Sequence, residues 1–178
     1  MQVGDKFTLR KTARKCFAAI PGFFLALLTA VTLAACGKSG TPVAIPDRPE
    51  TPIADLAEVF TPEEEEMLME AIRQFERSSC GDLYVLTVPT TGNASIEEFS
   101  LSTANQWAIG KGKGGGVLLT LAILDRRSRI EVTSEWEDVL TNSRCAGILE
   151  SIVPNLRYAD YAGACEKAAH DMEAFFPK

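Results

Sequence analysis

Two stretches of this chain are apolar on both faces: Leu83-Tyr84-Val85-Leu86-Thr87-Val88 and Val117-Leu118-Leu119-Thr120-Leu121-Ala122-Ile123-Leu124. A strand of that kind belongs inside a sheet covered on both sides. Between them, Ser95-Ile96-Glu97-Glu98 reads as a capping box opening a helix whose inner face is Ile96, Phe99, Thr103, Ala104 and Trp107. Strand, helix, strand predicts a right-handed parallel crossover. After the turn Asp125-Arg126-Arg127-Ser128, Ile130 and Val132 alternate with Arg129 and Glu131, as in a half-exposed strand folding back antiparallel near an edge.

Helical signals flank these strands. Thr61 is a plausible N-cap, Pro62 suits the first helical position, Glu64 completes a capping box, and Glu63 to Glu66 match the positive end of the helix dipole. Met67, Leu68, Ala71, Ile72 and Phe75 then recur at helical spacing as one buried face. Further on, Asn142-Ser143 is expected to cap a helix carrying Ile148, Leu149, Ile152, Val153 and Leu156, distorted near Pro154. Asp160 caps a last helix with Cys165, Ala168, Ala169, Met172 and Phe175 inside. The reading is an α/β domain over residues 53–178, large enough for one hydrophobic core.

Upstream, Lys6, Arg10, Lys11, Arg14 and Lys15 precede an uncharged run, 17–33, that ends in Leu33-Ala34-Ala35-Cys36. Pro21-Gly22 breaks that run, which is marginal against the roughly 20 apolar residues of a spanning helix. Small residues followed by cysteine resemble the bacterial lipoprotein signal, in which Cys36 is diacylated and becomes the new N-terminus; an ordinary secretory signal cut after Ala35 is the plainer alternative. Residues 1–35 are thus expected to be a signal peptide. Residues 36–52, with Pro42, Pro46, Pro49 and Pro52, read as the lipid-bearing cysteine and a flexible tether. The chain as a whole carries −6; the signal, with five bases and one acid, is +4, which leaves −10 for the rest. A body this acidic repels phosphodiester backbones and anionic lipid, so the expected partners include no nucleic acid, and membrane attachment has to be covalent.

Cys80, Cys145 and Cys165 remain in what would be an oxidising compartment. Cys80 lies at the lower end of the first strand, and Cys145 begins its helix at that end if the third strand runs down, so Cys80–Cys145 is the favoured disulfide. Three buried free thiols are the alternative. Gly110-Lys111-Gly112-Lys113-Gly114-Gly115 fits a GxGxxG string, but a helix precedes it and a strand follows. That reverses the dinucleotide fingerprint and argues against a nucleotide cofactor. His170, the only histidine, stands beside Asp171 with no nucleophile motif. The remaining candidate metal or ligand residues are acids and amides at loop ends: Asp55, Asn93, Asp125, Glu137, Asn142 and Asp160. Several carboxylates together could bind calcium or another divalent cation through oxygen. Taken singly, each is explained as a cap or turn residue.

The order of motifs resembles the TPM domain of bacterial envelope proteins, thylakoid-lumen photosystem-repair proteins and a nematode receptor modulator. The carriers are Ile53-Ala54-Asp55-Leu56-Ala57 before Thr61-Pro62-Glu63; the strand near Val85; Ile96-Glu97-Glu98-Phe99; Trp107-Ala108-Ile109-Gly110; and Gly116-Val117-Leu118-Leu119. Asp125-Arg126 with Arg129-Ile130-Glu131-Val132, then Glu137 with Leu140-Thr141, and Ile152-Val153-Pro154 before Asp160-Tyr161 complete the series. The resemblance implies a three-layer sandwich with a small mixed sheet of about four strands between helices. It also implies weak phosphatase activity, divalent-metal binding or an accessory role on membrane complexes. This chain departs from the family pattern where that chemistry would sit. The acid-Asn pair before Gly-Val is here Lys113-Gly114-Gly115, the glycine-rich segment after the third strand is Thr133-Ser134-Glu135-Trp136, and the Asp after Leu-Thr is Asn142. The resulting expectation is a lipid-anchored module facing the periplasm, on the outer membrane of a diderm host, that binds a protein partner or assists an envelope complex. A weak divalent-metal-dependent phosphatase using Asp55 and Asp125 is the first alternative, and a purely structural envelope lipoprotein the second.

Overall fold

The computed structural model of the protein describes residues 43–176; Cys36, the signal segment and the start of the tether lie outside the described residues. The order of elements is β1 (Ile53–Asp55), α1 (Pro62–Ser79), β2 (Asp82–Val88), α2 (Ile96–Gln106), β3 (Gly116–Ala122) and β4 (Arg127–Val132). A 3-10 turn (Ser134–Trp136), α3 (Asn142–Ser151), α4 (Val153–Arg157) and α5 (Tyr161–Glu173) follow. The four strands form one sheet in the order β1-β2-β3-β4, with β1, β2 and β3 parallel and β4 antiparallel. Every residue of β2 and β3 is buried, as their apolar runs require. β4 is the edge strand, carrying the ion pair Arg129–Glu131 (3.0 Å). The short β1 has no periodicity of its own to read and adds the fourth strand.

One face of the sheet packs Leu83, Val85, Val117, Leu119 and Ile130 against Leu68, Ile72 and Phe75 of α1 and against α3 and α5. The other packs Tyr84, Leu86, Val88 and Leu118 against Ile96 and Phe99 of α2 and against Trp107. Both expected capping boxes form, Thr61 with Glu64 and Ser95 with Glu98. Three local expectations are corrected. Met67 is 56% exposed, because α1 narrows its buried stripe to Leu68, Ile72 and Phe75. Phe175 is exposed and Phe176 buried, because the chain leaves the helix after Glu173 and the inward face shifts by one. Thr141, not Asn142, caps α3 and accepts the Arg144 N–H.

The two crossovers are of opposite hand. β1, β2 and β3 are neighbours in sequence order, so both connections step the same way across the sheet, yet α1 and α2 lie on opposite faces. In a strand of L-residues pointing up, a residue whose side chain faces the viewer directs its N–H and C=O to the right. Val85 faces α1, and its N–H is donated to the carbonyl of Pro52 beside β1 (2.8 Å). Seen from the α1 side, β1 therefore lies to the right of β2, and β1-α1-β2 steps left beneath its helix. That crossover is left-handed, against a rule that holds in about 98% of cases. The expected right-handed unit is β2-α2-β3.

The tether is docked over its last residues. Arg48 donates to the carbonyl of Trp107 (2.6 Å) and to the Tyr84 hydroxyl (2.6 Å), and its guanidinium stacks 5.2 Å from the Tyr84 ring centroid. The indole N–H of Trp107 is in turn donated to the carbonyl of Pro46 (2.8 Å). This strap closes the part of the α2 face that one helix leaves open.

Under α2, the hydroxyls of Thr120 and Ser100 are buried without a hydrogen-bond partner. An unsatisfied buried hydroxyl costs about 1–3 kcal/mol. Thr120→Val, nearly isosteric, is expected to raise stability by about 1 kcal/mol, read as a higher urea midpoint at unchanged slope.

Candidate functional site

The candidate residues divide between the two ends of the sheet. At the upper end, where the parallel strands finish, Asp55 closes β1. Its Oδ2 accepts the Phe60 N–H (2.8 Å), its Oδ1 accepts the Thr87 hydroxyl, and Thr87 Oγ1 accepts the Ala57 N–H (3.2 Å). Asp55 thereby pins the segment that turns the chain into α1. Asp125, between β3 and β4, accepts the Thr91 N–H (2.8 Å) and the hydroxyls of Thr90 (2.9 Å) and Thr91 (3.3 Å). The Thr91 N–H, assisted by those hydroxyls, holds the Asp125 carboxyl below the usual carboxylate range. Stability from this contact is complete above the ordinary aspartate value, near pH 4, and is lost as pH falls through the lowered one. The difference in unfolding free energy between wild type and Asp125→Asn is thus expected to begin shrinking near pH 4 and to be lost as pH falls on through the lowered value, measured by urea denaturation.

Asp55 and Asp125 are not partners. β2 lies between their strands, two spacings or about 9.6 Å apart, and calcium needs its oxygens within about 2.6 Å. Asn93 is exposed in the loop after β2, and Asp160 caps α5 by accepting the Gly163 N–H (3.0 Å). His170 is a surface residue whose Nδ1 lies 3.8 Å from Glu173.

The lower end collects the positions at which the chain departs from the TPM pattern. Buried Asp82 opens β2; its Oδ2 accepts the Gly110 N–H (3.1 Å), and its Oδ1 meets the Lys113 ammonium at 2.8 Å. The glycine-lysine segment before β3 is therefore a pinned loop. The Asp82 hydrogen bond and charge strengthen the hold of Lys113 on its proton. Trp136 lies over the same loop: a Cβ at Gly115 would stand 2.4 Å from its indole nitrogen. Glu137 and Asn142 are found together, with Asp138 and Cys145, in a groove of about 420 Å³ along β4.

A divalent cation does not fit these residues. The buried carboxylate at the lower end already holds an ammonium and a backbone N–H, and the upper carboxylates are spent on separate loops. Among the described residues, no three His, Cys, Asp or Glu side chains converge as a metal shell. The expected Cys80–Cys145 disulfide is also not formed, and all three thiols are free. Cys80 precedes β2 whereas Cys145 lies against β4, two strand spacings away, and disulfides need Cα atoms within about 7 Å. Burial pushes the Cys165 thiol up, as befits an unreactive core residue.

Sequence reasoning missed a cleft of about 530 Å³ at the upper end, between the β3–β4 turn and α4–α5. Arg126, Arg127 and Arg157 line it together with Leu121, Ile123 and Tyr161. The available signal was the pair Arg126-Arg127 in so acidic a chain, but nothing in the order of residues brings Arg157 beside it.

A four-stranded mixed sheet with α2 on one face and α1, α3, α4 and α5 on the other makes the domain an α/β/α sandwich. The TPM-domain profile matches residues 53–175, and the chain belongs to that family. Among solved structures, the fold is similar to the N-terminal domain of a protein from P. gingivalis. That likeness has 27% identity over 70% of this chain and 80% of that one, with a TM-score of 0.63. The N-terminal domain of the cg2496 protein from Corynebacterium glutamicum shares the fold at 14% identity, 79% and 90% coverage and a TM-score of 0.60. The BA42 protein from Bizionia argentinensis shares it at 21% identity, 67% and 86% coverage and a TM-score of 0.56. No curated protein matches the chain.

Proposed function

We propose that this TPM domain is an extracytoplasmic accessory module, anchored to the envelope membrane through lipid on Cys36, that binds a partner complex and does not hydrolyse phosphoesters. The observation that carries this reading is the Lys113 ammonium, 2.8 Å from Oδ1 of buried Asp82. That monovalent cation and the Gly110 N–H satisfy the buried carboxylate, so a divalent metal would have to displace the ammonium to reach it. The small-residue run ending at Cys36, after a basic segment and then an uncharged run, supports the anchor. Leu124 and Tyr158, 75% and 88% exposed on the upper rim beside three arginines, have the composition of a binding patch.

The test uses the full chain in detergent with calcium and p-nitrophenyl phosphate. Wild type is expected to show neither turnover nor a calcium-dependent rise in Tm, whereas Lys113→Asp gains the calcium-dependent rise. Calcium-dependent turnover by wild type, abolished in Asp125→Ala, would establish the phosphatase reading instead. Mass spectrometry of the native protein is expected to find a diacylated Cys36 at the N-terminus; an unmodified thiol there removes the anchor.

A further inference from the structure

The upper cleft is a binding site in its own right. Its floor is apolar, formed by Leu121, Ala122, Ile123, Val153, Leu156 and Tyr161, and its volume of about 530 Å³ suits a small organic ligand. Three guanidinium groups border that floor in a domain whose residues after the signal sum to −10. The guanidinium groups of Arg126 and Arg157 make no hydrogen bond or ion pair among the described residues, and that of Arg127 acts only through its charge on Asp125. The carboxylates next in sequence to cleft-lining residues are committed elsewhere, Asp125 to Thr90 and Thr91 and Asp160 to Asn155 (2.7 Å) and Gly163. Unpaired arginines beside a concave apolar wall have their forked donors free for a carboxylate or phosphate.

We infer that this cleft binds an amphipathic organic anion, its apolar body on the Leu121–Leu156–Tyr161 floor and its carboxylate or phosphate head between Arg126, Arg127 and Arg157. The accessory-module reading shares these rim arginines but is carried by Lys113 and Asp82 at the other end of the sheet, so its calcium test and the ligand titration below can fail separately.

The full chain in nonionic detergent is titrated, by calorimetry and ligand-observed NMR, with 3-phenylpropanoate, phenyl phosphate, acetate and phenethylammonium. The two aromatic anions are expected to bind with a Kd of about 0.1–1 mM, acetate at least about tenfold more weakly, and the cation not measurably. Whichever aromatic anion binds more tightly assigns the head as carboxylate or phosphate, and either result upholds the inference. The double variant Arg126→Gln, Arg157→Gln is expected to weaken binding by about tenfold or more with Tm unchanged. Should that variant fold poorly, the salt dependence of wild type decides, because a site built on guanidinium charge loses affinity as NaCl rises. No saturable binding, equal binding of the cation, or affinity indifferent to both salt and the arginines overturns it.

Discussion

Gly81→Ala is expected to destabilise the domain by about 3 kcal/mol, the upper range for forcing a methyl group into a filled interior. A Cβ at Gly81 would lie 2.3 Å from two ring carbons of Trp136 and 2.4 Å from the Gly115 carbonyl oxygen. The ring has little room to retreat, being packed edge-on against Phe75 (centroids 5.9 Å apart) and Phe176 (4.7 Å). The carbonyl cannot move freely either, since it accepts the Asp82 N–H (3.1 Å) where β2 and β3 begin to pair. Urea denaturation of the variant should show a much lower midpoint at similar slope. A loss below about 1 kcal/mol would mean that the ring is loosely held.

Trp136→Ala is expected to cost about 4 kcal/mol, within the range for removing a buried aromatic side chain. Trp136 is only 6% exposed and joins α1, through Phe75, to Phe176 just after α5. Its loss opens a cavity over two glycines that have no side chains with which to fill it. The two substitutions should be strongly non-additive. In the Trp136→Ala background, Gly81→Ala loses its collision with the ring but keeps the one with the Gly115 oxygen. A coupling of about 1–2 kcal/mol is therefore expected from the double-mutant cycle. Strict additivity would show that Gly81 and Trp136 do not touch.

The indole of Trp136 also lies on Gly115, where a Cβ would stand 2.4 Å from its nitrogen, so Trp136 leaves room only for glycine at that position. Lys113, two residues earlier, supplies the cation that Asp82 requires. Gly115 and Trp136 are far apart in the chain, which is why sequence reading found both departures from the family pattern but not their contact.

Much of the fold was legible in local signals. The two buried strands follow from apolar runs with no polar face, and the starts of α1 and α2 from capping boxes whose reciprocal hydrogen bonds lie within four residues. The edge strand follows from the alternation of Ile130 and Val132 with Arg129 and Glu131. Roles that depend on distant neighbours were read less well. Asp55 and Asp125, candidate ligands by residue type, became loop anchors because Phe60, Thr87, Thr90 and Thr91 bring N–H and hydroxyl donors to them. The Cys80–Cys145 pairing failed on strand spacing, which no count of residues contains.

Sequence alone thus determined most of the elements and their order, since hydrophobic periodicity and capping act over a few residues, and its ordered motifs carried the resemblance to the TPM family. Tertiary structure decided the hand of β1-α1-β2, the docking of Arg48 on Tyr84, the neutralisation of Asp82 by Lys113 and the meeting of Arg157 with Arg126. Each of these depends on which faces and chain ends the packed sheet brings together, and side-chain charge and shape act through space once the backbone has placed them.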